Sequence, residues 1–139
     1  MLINEKELAA RLREVKTIAV IGAVDKPGRP VDGVAREMIR MGFTIIPVHP
    51  TRTEVWGLET FRSVADIPVA VDVVDLFRNG QFCPGHAEEV LEMQTLPTFF
   101  WMQSGVFSPE ARQILAHTPI QVIEDRCLKV ELTRLGVRP

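Results

Sequence analysis

A loop near the N-terminus combines glycine, proline and cationic side chains, the residue types that hold phosphate groups. It runs from Gly22 to Pro30 and carries Lys26 and Arg29. A helix that begins just beyond it would add free backbone N–H groups and the positive end of its dipole. The loop therefore predicts a site for a phosphorylated ligand, and the residues assigned to it are Gly22, Ala23, Val24, Lys26, Arg29 and Pro30.

The first loop and a second loop, after the next apolar run, both differ from those of NAD-binding domains. The first loop lacks the dinucleotide fingerprint Gly-x-Gly-x-x-Gly, because alanine and valine follow Gly22. NAD-binding domains also place a carboxylate after the second strand, where it binds the ribose hydroxyls. Here His49 and Arg52 follow the corresponding apolar run, which suits a ribose that carries an extra phosphate, as in NADP or coenzyme A. The residues assigned to this loop are Val48, His49, Pro50 and Arg52.

Aromatic, cationic and amide side chains follow two later apolar runs. Phe77 ends the run 71–77 and Arg78 follows it, and Trp101, Gln103 and Gly105 lie at and beyond the run 98–102. An aromatic ring beside an arginine or an amide could flank an adenine ring or a pantetheine arm. These five residues complete the predicted ligand site.

The loops are positioned by apolar runs that alternate with amphipathic segments. A short continuous apolar run predicts a strand buried on both faces at 17–22, and mainly apolar runs predict further strands at 43–48, 71–77, 98–102 and 120–123. Helical spacing and N-terminal signals predict helices over 5–14, 34–41, 84–95, 109–117 and 127–135, with Asn4 and Ser108 as caps. The stretch 51–68 is expected to be irregular, apart from a short helical turn around 64–66.

This alternation specifies a three-layer α/β fold in one domain spanning residues 1–139. We predict a Rossmann-like, doubly wound, mostly parallel five-stranded sheet in the order 3-2-1-4-5. In such a sheet the ligand lies beyond the carboxyl ends of the strands, where the strand order reverses. The candidate loops follow the first four predicted strands, so we expect them to meet there.

Composition and missing motifs exclude several classes of function. With 16 basic and 18 acidic residues the net charge is −2, which provides no overall positive field for nucleic acid or an anionic membrane. The N-terminus lacks the pattern of a signal peptide, so a cytoplasmic protein is expected. Neither Cys83 nor Cys127 has zinc-site spacing, and no catalytic motif occurs, so no metal ligand and no catalytic residue is assigned. His86 and His117 lie in predicted helices and are interpreted as surface residues.

Five segments in order, 18–30, 46–50, 71–78, 101–106 and 125–127, resemble the stand-alone CoA-binding-domain family. These small proteins are similar to the N-terminal CoA-binding domain of the succinyl-CoA synthetase alpha subunit. The resemblance covers essentially the whole chain. It implies a Rossmann-like fold that binds coenzyme A across the point where the strand order reverses, with the adenine nucleotide near the first two loops.

We therefore predict a non-catalytic CoA or acyl-CoA binding protein that acts as a carrier, sensor or regulatory module. The synthetase works through a phosphorylated histidine on a second domain, for which this chain is too short, so no ligation is expected. Two alternatives stay open: an NAD(P)-dependent oxidoreductase or redox sensor on the same fold, and an oligomeric interaction protein with a vestigial pocket. The expected partner is a small-molecule ligand; a homo-oligomer or an unknown protein partner also stays open.

Overall fold

Five parallel strands form the central sheet of the computed structural model, which describes residues 3–139. The strands of this sheet are, in chain order, β1 (Thr17–Ile21), β2 (Thr44–Val48), β5 (Val73–Leu76), β6 (Phe99–Met102) and β7 (Gln121–Ile123). Two further strands, β3 (Glu54–Val55) and β4 (Leu58–Glu59), pair with each other outside it. The helices are α1 (Glu5–Leu12), α2 (Pro30–Arg40), α3 (Cys83–Leu91), α4 (Pro109–Ile114) and α5 (Leu128–Arg134). None of the helices in the described residues has the length and apolar composition that crossing a membrane requires.

Helices cover both faces of the sheet. Core residues of α1, α2 and α5, such as Leu12, Met38 and Leu132, pack on one face. Core residues of α3 and α4, such as Ala87 and Ala111, pack on the other. The five strands of the central sheet are largely buried on both sides, as their mainly apolar runs predict. The three-layer, Rossmann-like α/β fold is thereby confirmed.

The predicted strand order, 3-2-1-4-5, is wrong. The sheet runs β2-β1-β5-β6-β7, which is 2-1-3-4-5 when only the five sheet strands are numbered. β5 pairs with β1, from Ile18 opposite Val73 to Ile21 opposite Leu76, and β2 lies at the edge. Pro47 explains the position of β2, because proline lacks the N–H that a central strand must donate. The order of the strands therefore reverses between β1 and β5.

The stretch predicted to be irregular contains a β-hairpin formed by β3 and β4. Trp56 and Gly57 occupy its two-residue turn with φ angles of 55° and 72°, the left-handed pair that tight hairpins require. Nε1 of Trp56 donates to Oδ1 of Asp32 at 2.9 Å and so ties the hairpin to the first turn of α2. The helical turn at Val64–Asp66 is confirmed.

The five predicted helices are confirmed, most of them shorter than expected. Asn4 caps α1, because its Oδ1 accepts from the N–H of Glu7 at 2.8 Å. Ser108 caps α4 in the same way, with its Oγ 3.1 Å from the nitrogen of Ala111. The predicted helix over 84–95 ends at Leu91 and is preceded by a 3-10 turn, Gly80–Phe82.

Candidate functional site

A cleft opens at the carboxyl edge of the sheet between the loops that follow β1 and β5. It consists of two cavities: the first, of about 290 Å³, extends toward the end of β6, and the second, of about 580 Å³, extends toward the end of β2. The residues that line both are Gly22, Val24, Phe77, Arg78 and Asn79. Because these walls are shared, the two cavities are parts of one cleft, which lies where the strand order reverses.

Gly22 allows the loops after β1 and β5 to approach each other closely. Its φ is +87°, and a Cβ at this position would lie 2.7 Å from the carbonyl oxygen of Phe77. The N–H groups of Gly22 and Ala23 donate to the carbonyl oxygen of Val48 at 3.2 and 3.3 Å. These two amides therefore hold the loop against β2 and are not free for a phosphate.

Three arginines line the cleft, and none has a carboxylate partner within residues 3–139. Arg29 borders the first cavity, Arg62 borders the second, and Arg78 borders both. A guanidinium group stays charged at any physiological pH and binds phosphate with paired N–H donors. The cleft is therefore electropositive, although the chain as a whole is slightly acidic.

Arg78 is held in place by side chains of the segment that follows β5. Its Nη1 lies 3.1 Å from Nε2 of His86, and its guanidinium carbon lies 3.9 Å from the centroid of the Phe82 ring. Arginine can only donate, so Nε2 of His86 must accept and the imidazole proton lies on Nδ1, which contacts Glu89. Glu89 and His86 together therefore orient the guanidinium at the centre of the cleft.

His49 contributes a neutral imidazole to the second cavity. Its Nδ1 accepts from the N–H groups of Thr51 and Arg52 at 3.1 and 3.0 Å, which leaves the proton on Nε2. Partial burial lowers the pKa of His49, and the positive charges of Arg52 and Arg78 lower it further. His49 can therefore donate a hydrogen bond to a ligand but supplies no positive charge.

Arg52 and Lys26 line neither cavity of the cleft. Nη2 of Arg52 donates to Oδ1 of Asp25 at 2.9 Å and to the carbonyl oxygen of Glu54 at 3.2 Å. That hydrogen bond also lowers the pKa of Asp25, so the carboxylate stays ionised beside the guanidinium. Arg52 is therefore paired with Asp25 at the border of the site, and its assignment to the ligand stays a prediction.

Trp101 belongs to the core and not to the cleft. Its side chain is fully buried, Nε1 donates to the carbonyl oxygen of Arg126 at 2.8 Å, and its ring meets that of Phe99 edge-on at 5.6 Å. The prediction that it flanks a ligand is therefore corrected. Ala23 is also buried, and Gly105, whose N–H donates to Oδ1 of Asp125 at 2.7 Å, lines neither cavity.

The structure brings ten of the predicted ligand residues together in the cleft wall: Gly22, Val24, Arg29, Pro30, Val48, His49, Pro50, Phe77, Arg78 and Gln103. Sequence reasoning missed Arg62, Asn79, Phe82, His86 and Glu89. His86 in particular was interpreted as a surface residue, yet only 14% of its side chain is exposed. The spacing of His86 and Glu89, three residues apart on one helix face, was a usable signal. That spacing indicates the cleft only when β5 is known to lie beside β1, because α3 follows the loop after β5.

A doubly wound parallel sheet with an arginine-lined cleft at the reversal of strand order is the arrangement typical of domains that bind phosphorylated, nucleotide-like ligands. The family model described as CoA binding domain matches residues 16–133. The chain belongs to this CoA-binding domain family.

Relatives of this chain include proteins of similar length and segments of larger enzymes. The uncharacterized protein YneT of Bacillus subtilis (strain 168) is 39% identical over 127 residues, which cover 91% of this chain and 93% of YneT. The structure of cell-free ID.343 from Thermus thermophilus has a TM-score of 0.88 and 39% identity, covering 96% of this chain and 99% of that one. The ADP-forming 4-hydroxybutyrate–CoA ligase of Nitrosopumilus maritimus is 42% identical over 60 residues, 42% of this chain and 8% of the ligase.

Proposed function

We propose that this protein binds CoA or an acyl-CoA in the cleft between β1 and β5 and serves as a non-catalytic carrier, sensor or regulatory module. The observation that carries the proposal is the set of three cleft arginines, Arg29, Arg62 and Arg78, which lack carboxylate partners among the described residues. CoA carries a pyrophosphate and a third phosphate on its ribose, so its charge complements three guanidinium groups. Membership of the CoA-binding domain family supports the same ligand.

The two cavities suit different parts of such a ligand. The second cavity, with Arg62 and the Nε2–H of His49, would hold the phosphorylated adenosine near the loops after β1 and β2. The first cavity has apolar wall residues, among them Val31 and Val106, and would hold the pantetheine arm. Arg78 borders both cavities and would bind the pyrophosphate that joins the two parts.

We propose no catalytic role, because the two cleft histidines are occupied by hydrogen bonds within the protein and the nearby Cys83 thiol stays protonated. The acceptor nitrogen of His49 already binds two backbone N–H groups, and that of His86 already faces Arg78. Neither can take a proton from a substrate without giving up a hydrogen bond within the protein. Burial raises the pKa of Cys83 to about 11, which keeps it a thiol at neutral pH. We therefore expect no thioesterase, ligase or dehydrogenase activity.

Thermal denaturation with four ligands, CoA, acetyl-CoA, NAD and NADP, tests the proposal. A ligand that binds only the folded state raises the melting temperature by mass action. We expect CoA and acetyl-CoA to raise it clearly more than equal concentrations of NAD or NADP. A larger shift with NADP would favour a nicotinamide-dependent protein, and no shift with either CoA ligand would overturn the proposal.

A further inference from the structure

Gln103 is a buried polar side chain in the wall of the first cavity. It follows β6, is 6% exposed, and lines the cavity together with Phe77 and Val106. A buried amide is costly unless both its oxygen and its nitrogen find hydrogen-bond partners. The partners of Gln103 therefore indicate what the cavity is built to hold.

The backbone fixes the orientation of this amide. The N–H of Leu128, the first residue of α5, donates to Oε1 of Gln103 at 2.9 Å. A backbone N–H can only donate, so the amide oxygen of Gln103 must face Leu128 and the amide nitrogen, Nε2, must lie on the opposite side of the amide group.

Nε2 of Gln103 is left as an available donor. Within residues 3–139 it has no hydrogen-bond partner, and it is not among the side-chain atoms sealed from solvent. Since the rest of the residue is buried, the accessible part of the amide faces the cavity that the residue lines. The neighbouring wall residues Val24, Val31 and Val106 are apolar, which suits a neutral acceptor.

We propose that Gln103 donates a hydrogen bond through Nε2 to a carbonyl oxygen of the ligand, either an amide of the pantetheine arm or the acyl thioester. This inference rests on the proposed function and adds the chemical class of the group that the first cavity recognises. Gln103 thereby acts as a specificity-determining residue, because a nucleotide without a carbonyl-bearing arm leaves its donor unpaired.

Two substitutions separate the donor from the contact that supports the fold. Gln103→Glu keeps an oxygen for the N–H of Leu128 and, when its carboxyl is ionised, has no donor, whereas Gln103→Met removes both without adding a charge. Gln113→Glu, at an exposed position of α4, is the matched control for the added charge. Calorimetric titrations would use CoA, acetyl-CoA and adenosine 3′,5′-bisphosphate, which has no arm.

Both Gln103 variants should bind at least one CoA ligand about three- to tenfold more weakly, as expected for one lost hydrogen bond. Gln103→Met should bind the bisphosphate like the parent protein, and Gln113→Glu should bind all three ligands unchanged. A loss for acetyl-CoA alone identifies the thioester carbonyl, and an equal loss for CoA identifies an amide of the arm. Unchanged affinities for both CoA ligands, or an equal loss of the bisphosphate with Gln103→Met, would overturn the inference while the proposed function stands. Failure of the parent protein to bind CoA would overturn both.

Discussion

Arg78 and His86 meet in the wall of the cleft, with Nη1 of the arginine 3.1 Å from Nε2 of the histidine. Glu89 contacts the other ring nitrogen, so the imidazole presents a lone pair to the guanidinium. Among the residues that the structure describes, Arg78 is the one arginine that borders both cavities. His86 is therefore a positioning residue whose effect on a ligand passes through Arg78.

The first prediction concerns this pair. His86→Phe should weaken CoA binding about three- to tenfold, because Arg78 loses the hydrogen bond that orients it. His86→Gln, which can still accept from the arginine, should restore part of the loss, and His117→Phe at an exposed position should have no effect. Calorimetry on a double-mutant cycle gives the decisive comparison. In an Arg78→Ala background His86→Phe should cost nothing further, and an undiminished loss there would show that His86 acts independently.

The second prediction distinguishes the arginines of the cleft from the cations outside it. Arg29→Ala and Arg62→Ala should each weaken CoA binding by about 1–3 kcal/mol, the contribution of a charge-assisted hydrogen bond to phosphate. Lys26→Ala should change it little, because Lys26 is exposed and lines neither cavity. Calorimetric titrations of CoA into the three variants at one salt concentration compare these losses of affinity. A loss for Lys26→Ala as large as that for Arg62→Ala would contradict the assignment.

Most of the fold could be predicted from the sequence because burial on both faces leaves a local pattern. The strand Thr17–Ile21 lies in a continuous apolar run, and the caps Asn4 and Ser108 are visible as residue types. The strand order depends on pairing between distant segments, which no local pattern records. Pro47 did carry information, since a proline is poorly suited to the central place that the predicted order gave its strand.

The candidate site was predicted in part for the same reason. Arg78 comes two residues after the end of β5, and Arg29 closes the loop that joins β1 to α2, so their place at the carboxyl edge could be read from the sequence. The ion pair of Arg52 with Asp25 could not be read from the sequence, because the two residues lie 27 positions apart and meet only in the folded chain. Arg62 also reaches the cleft only because the segment before it folds back along β2, where Phe61 pairs with Val48.

The third prediction concerns the glycine where the two loops meet. Gly22→Ala should destabilise the fold by more than about 1 kcal/mol, because alanine disfavours φ of +87° and its Cβ would lie 2.7 Å from the carbonyl oxygen of Phe77. Gly85→Ala is the matched control. It lies within α3 with no atom within 4 Å of the added Cβ, and it should stabilise by about 0.5–1 kcal/mol. Urea denaturation measures both, and equal stability of the two variants would contradict the close approach.

The fourth prediction follows from Asp75, which is fully buried in β5 between Val20 and Trp101. Neither of its oxygens has a hydrogen-bond partner among the residues that the structure describes. Burial raises the pKa of Asp75 well above its usual value, so the folded state holds this proton up to a higher pH than the unfolded chain does. Below the pKa that Asp75 has in the unfolded chain, both states carry the proton and the full free energy of unfolding is retained. As the pH rises from there toward the pKa of Asp75 in the folded state, only the unfolded chain loses the proton, and the free energy of unfolding falls by about 1.4 kcal/mol per pH unit.

Asp75→Asn removes this titration. Between about pH 5 and about pH 7, the free energy of unfolding should fall less steeply with pH in the variant than in the parent protein. Urea denaturation at several pH values measures the two slopes, and Asp66→Asn at an exposed position serves as the control. Parallel slopes for Asp75→Asn and the parent protein would show that Asp75 is ionised in the folded state.

Calorimetric titration of CoA into the parent protein and Arg78→Ala tests whether the electropositive cleft between β1 and β5 binds CoA. We expect one CoA per chain, an affinity that falls as the salt concentration rises, and binding at least about tenfold weaker in the variant because a phosphate contact at the centre of the cleft is lost. No heat of binding with the parent protein, or equal affinity in the two proteins, would show that CoA does not bind in this cleft.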